Sequence, residues 1–143
     1  MGYDFMLLRL RGAAGPWPLP IPKDLSEDAL VPIDDATLLF EALRADPQVD
    51  PASLAPGARG LRWRTPDGGQ LELSASGPAI SIDTHAHWDH VAHVLDRALA
   101  VWPDVVLFDM QKAHLHDAAS LRAFVARSDA DLARRNAGRD GGA

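Results

Sequence analysis

The 143-residue chain has no cysteine. Disulfides, thiolate nucleophiles and cysteine-ligated zinc are therefore excluded. Long hydrophobic runs are missing too, and nothing approaches the ~20 consecutive apolar residues that a membrane helix needs. The opening MGYDFMLLRL lacks the basic start, extended apolar stretch and small-residue cleavage site of a secretory signal. These absences predict a cytoplasmic protein with no membrane partner. Positive charge is in deficit, with a formal net charge of −6. Nucleic-acid affinity depends on neutralising phosphates, so no nucleic-acid partner is expected. Acidity instead suits solubility, or steering toward a basic protein. There is no G-x-S-x-G elbow, no P-loop and no G-x-G-x-x-G after a strand.

What remains is an ordinary globular composition, 47% hydrophobic and 24% charged, at a length that buries one core. Residues 1–135 read as a single α+β domain, and NAGRDGGA (136–143) as a fraying, flexible tail. Tyr3–Leu10 has the length and apolarity of a buried strand. Prolines at 16, 18, 20 and 22 then forbid a helix and predict a stiff connection whose Trp17, Leu19 and Ile21 lie on the core. Asp34 and Asp35 offer a cap for a helix carrying Leu38, Leu39, Ala42 and Leu43. LRWRT and QLELSAS around Asp67-Gly68 read as a hairpin, and Ala79–Asp83 as a further strand. Val91, Val94, Leu95, Ala98, Leu99 and Trp102 form a full helical stripe. DVVLFD (104–109) is a buried strand, and a third helix follows with Asp117 or Ser120 as its cap and Leu121, Phe124, Val125 and Leu132 as its apolar face. This order predicts a ferredoxin-like βαββαβ sandwich with an extra C-terminal helix. Both core helices should cover one sheet face. The other face is left open, or covered by the proline-rich loop and the third helix.

All six histidines lie between residues 85 and 116. Within SIDTHAHWDH (81–90), the pattern His85-x-His87-x-Asp89-His90 resembles the motif of metallo-β-lactamase-fold hydrolases, with a strand before it and a helix after it. The resemblance implies one metal on His85 and His87, a second on Asp89 and His90, and a metal-activated hydroxide. It covers only these residues. The family's later ligands and the glycine-rich continuation after the motif have no counterparts. A different zinc arrangement joins His85 and His87 to His114 and His116, across parallel strands about 10 Å apart. The residues favour a local reading over both. Asp89 caps the helix, Trp88 packs as a staple, and His85 and His87 are linker residues. His90, His93 and Arg97 then lie on the solvent face. Asp83 and Asp109, at two predicted strand ends, form a possible carboxylate pair. Arg122, Arg127, Arg134, Arg135 and Arg139 read as a solvated helix face.

Tyr3 and Asp4 in the opening strand, with Phe108, Asp109 and Gln111 near the end, are similar to patterns in small bacterial immunity and polymorphic-toxin accessory proteins. That resemblance implies a cytosolic protein that binds and blocks a toxin. Asp24, Glu27, Asp28, Asp34 and Asp35 would then face a basic partner. The expectation is a noncatalytic protein-binding module without a cofactor; the competing one is a zinc-dependent hydrolase centred on residues 85–90.

Overall fold

Along YDFMLLRL, successive side chains point to opposite sides of the first strand, β1 (Tyr3–Leu10). Phe5 and Leu7 enter one apolar cluster and Leu8 and Leu10 another. A strand apolar on both faces belongs in the middle of a sheet, and β1 lies there. The computed structural model describes residues 2–12, 16–20, 29–57 and 59–141. Along them β1 is followed by β2 (Leu19–Pro20), β3 (Leu30–Val31), α1 (Thr37–Arg44), β4 (Leu54–Pro56), β5 (Gly60–Arg64), β6 (Gln70–Ser76) and β7 (Ala79–Thr84). Then come α2 (Trp88–Val101), β8 (Val105–Asp109), β9 (His114–His116) and α3 (Ala118–Gly141).

The strands form one sheet in the order β2-β9-β8-β1-β7-β6-β5-β4, with β3 beside the end of β1. Every pairing is antiparallel. The protein is thus mixed α+β. In the β5–β6 hairpin, Gly68 takes the left-handed φ of 85° that the tight turn requires.

All three helices cover the same sheet face. Leu39 and Leu43 of α1, Val94 and Leu95 of α2, and Leu121 and Val125 of α3 join Phe5, Leu7, Ile80, Ile82 and Leu107 in one buried cluster. Each fully buried aliphatic side chain contributes about 1.5–3 kcal/mol. A smaller cluster of Leu10, Val106 and Leu115 occupies the other face, with Trp17, Leu19 and Leu30 packed on it. The rest of that face is polar, presenting Arg62, Arg64, Glu72 and Asp83.

Several local expectations change. Trp17 and Leu19 do pack on the sheet, while Ile21 lies outside the described residues. The third helix does not cover the open face; it packs beside α2. His114–His116, between the DVVLFD strand and the third helix, adds a strand that the sequence does not announce, because β8 offers it a free edge. Helical conformation runs on to Gly141, through the start of the stretch read as a tail. Among the described residues, no helix is long and apolar enough to cross a membrane.

Candidate functional site

The start of α2 is organised by His87, and not by Asp89 as expected. His87 is extended (φ −61°, ψ 142°), and its Nδ1 accepts the Asp89 N–H at 3.1 Å. A histidine can do this because its unprotonated ring nitrogen is an acceptor placed much like a capping oxygen. Nε2 then carries the hydrogen and donates to Asp129 Oδ1 at 2.7 Å, tying α2 to α3. That bond, outweighing partial burial, and the nearby Asp89 and Asp67 carboxylates raise the His87 pKa. Protonating Nδ1 gives up the cap but leaves the imidazolium among three carboxylates.

The His87 N–H donates to Asp67 Oδ2 at 3.0 Å. Asp67 sits in the β5–β6 turn, where its carboxylate also accepts the Thr65 hydroxyl and the Gly69 N–H. These bonds, led by Thr65, hold its pKa down to about 2. His90 Nε2 lies 3.5 Å from the same carboxylate.

One turn further, His93 contradicts its expected place on the solvent face. Its Nε2 meets Asp46 Oδ2 at 2.6 Å, and the Asp46 side chain is 2% exposed. Burial opposes ionisation of Asp46, but the Gln48 N–H at 2.8 Å, His93 and Arg97 outweigh it and lower the pKa. His90 and His93 both border the Trp63 ring, with centroids 5.3 and 6.1 Å away. Together with Gln48, Pro66, Asp89 and Arg122 they line a cleft of about 400 Å³.

The other expected ligands lie elsewhere. His85 leans on Asp83 at 3.7 Å, and Asp83 belongs to the polar sheet face. His114 and His116 are on β9, which two intervening strands separate from β7. Three strand spacings are about 14 Å, too far for one shared zinc. His116 is buried, bonds through Nδ1 to Ser120 Oγ at 2.9 Å, and is pushed toward neutrality by desolvation. Among the described residues, only His87, Asp89 and Asp129 bring three donor atoms within 4.8 Å of one another. Asp129 is 42 residues from His87, so nothing in the spacing of the motif points to it.

Asp83 and Asp109 do not form a pair. Their registers against Asp4 and Phe5 put them on opposite faces. Asp109 is buried beneath the helices, where Oδ1 accepts the Tyr3 hydroxyl at 2.7 Å and the N–H groups of Gln111 and Lys112 at 3.1 Å. Three residues that carry the immunity-protein resemblance, Tyr3, Asp109 and Gln111, therefore meet in one structural knot. Trp88, Phe5 and Phe124 pack around it. In the acidic set, Asp35 is exposed and accepts the Thr37 N–H at 3.1 Å, steadying the start of α1 behind its capping residue Ala36. Asp34 is exposed. Asp24, Glu27 and Asp28 lie outside the described residues.

Beyond Val125, α3 buries no further side chain up to residue 138, although Asp129 still meets His87. Each residue from 126 to 138 is exposed, including Leu132 at 57%. Comparison with protein-family models, curated proteins and solved structures gives no match.

Proposed function

We propose that the protein is a noncatalytic, cytoplasmic protein-binding module of the bacterial immunity or inhibitor kind. Its partner, a cognate toxin or effector, engages the outer half of α3. The observation that carries this reading is the run of exposed helix from 126 to 138. Isolated helices shorter than about 12–15 residues are marginal in water. This one has little intrachain support beyond the Asp129–His87 bond at its base. A helix held out from the core, with Leu132 flanked by Arg127, Asp129, Asp131, Arg134 and Arg135, offers a ready surface for a protein.

The scaffold reading is compatible. Taken alone, β1, α1, β6, β7, α2 and β8 have the strand order β8-β1-β7-β6 with alternating directions. We infer that this is a ferredoxin-like unit, widened at one edge by β4 and β5 and at the other by β9 and β2.

The test is co-expression of the full chain with the product of the neighbouring reading frame. The expected result is protection from that product and a co-purifying complex, both lost when α3 is cut after Asp129. If the neighbour is toxic and the full chain neither protects nor binds, the reading fails. The second reading, zinc-dependent hydrolysis from residues 85–90, has one observation in its favour: the convergence of His87 and Asp89 with Asp129.

A further inference from the structure

We propose that Asp89, His90 and His93 bind one divalent first-row transition-metal ion in the cleft beside Trp63. This site is separate from the outer half of α3 and does not depend on the partner-binding reading. It also differs from the hydrolase motif, which lacks His93.

Its foundation is what stands behind each imidazole. Metal-binding histidines almost always donate their second ring N–H to a carboxylate, which fixes the tautomer and raises the basicity of the ligating nitrogen. Here His93 Nε2 lies 2.6 Å from Asp46 and His90 Nε2 3.5 Å from Asp67. Asp46 is buried and Asp67 is held ionised by its turn, so both backing groups are anchored. The hydrogen bond to Asp46 leaves the Nδ1 lone pair of His93 free, while the Asp67 carboxylate, near His90 Nε2 without hydrogen-bonding it, favours the same tautomer there.

Helix geometry brings the donors to one side. His93 is a surface neighbour on α2 of His90, three residues before it, and of Asp89, four before it. All three line the same cleft, which has room for the waters or exogenous ligand that would complete the coordination shell. Its one lining cation, Arg122, is paired with Asp96 through two contacts of 2.9 and 2.5 Å. Two imidazoles with one carboxylate suit zinc, iron or nickel rather than calcium or magnesium.

In this structure Asp89 rests 3.4 Å from His87 Nδ1, so it is the ligand that must turn. Its side chain is 68% exposed and free to do so. The helix cap survives the turn, because His87 holds the backbone N–H of Asp89 and not its carboxylate. The tighter trio of His87, Asp89 and Asp129 is the poorer host. Its histidine already uses both nitrogens, and an ion there would break either the cap or the bond to α3.

The experiment is a zinc titration of the untagged full chain, followed by long-range ¹H–¹⁵N NMR of the histidine rings. The expected result is one equivalent bound, with large shifts at Nδ1 of His90 and His93 and small ones at His85, His114 and His116. His93→Gln should weaken zinc at least tenfold, and Asp46→Asn by about 10–100-fold, while His87→Gln should retain it. If His93→Gln does not fold, the wild-type ring shifts alone decide. Zinc signals centred on His87 and abolished by His87→Gln would overturn the proposal, as would rings that stay unmoved in excess zinc.

Discussion

Cutting the chain after Asp129 should leave the stability of the core almost untouched. The described side chains removed, 130–138, are all exposed, so the apolar burial lost is close to nil. The removed part includes one ion pair, Arg134 with Asp131, which is exposed and worth about 0–1 kcal/mol at most. The Asp129–His87 bond is retained. The expected change is within about 0.5 kcal/mol, the usual size for surface changes. For a chain of this size that is a shift in Tm of about 2 °C or less. Leu121→Ala, at the fully buried end of the same helix, should cost about 2–5 kcal/mol. Thermal melts by circular dichroism compare the two, and the truncation should also lower the helical signal at room temperature. A fall in Tm of more than about 5 °C on truncation would mean that the outer half of α3 is held by the core, removing the basis for assigning it to a partner.

Tyr3→Phe should cost about 1 kcal/mol by removing the hydroxyl that donates to Asp109. Burial and Asp109 raise the Tyr3 pKa above its ordinary 10. Its stabilisation is therefore complete below about pH 10 and lost as pH rises beyond it; urea melts of Tyr3→Phe should show less of this alkaline loss. The His87 ring should titrate above the ordinary histidine value, so the stability it adds is present below that value and fades as pH rises. Asp129→Asn should lower the midpoint seen by NMR and destabilise more in mild acid than at alkaline pH; an unchanged midpoint would refute the assigned cause. Gly60→Ala should destabilise by about 1–3 kcal/mol or more, because a Cβ there overlaps the Leu73 carbonyl oxygen and crowds the Phe40 ring. A melt equal to wild type would count against the β5–β6 register.

The long periodic segments were legible in sequence. The α2 stripe, the β5–β6 hairpin and the run now seen as β8 each contain enough repeats for the pattern to outweigh local noise. The strands β2, β3 and β9 are two or three residues long, too short to carry a period. The site was less legible because its partners are remote in sequence. Asp46 is 47 residues from His93, and Asp129 is 42 from His87. The helical period puts His93 on the solvent face, yet it borders the Val94–Leu95 stripe. That boundary position, three residues from His90, was the available signal. Asp89 is a sound cap by residue type, but the helix begins at Trp88, two residues before the start such a cap implies, and the His87 imidazole takes the role.

The position of β1 also governs when the sheet can form. This strand leaves the ribosome well before its two long neighbours, which pair with it through Thr84 to Ile80 and through Val105 to Asp109. At synthesis rates of about 5–20 residues per second, β1 waits roughly 5–20 s for β8. During that interval FMLLRL is an apolar segment with both edges open, the condition in which strands recruit wrong partners. The central place that gives β1 a partner on each edge of the finished sheet leaves it waiting for both in the nascent chain.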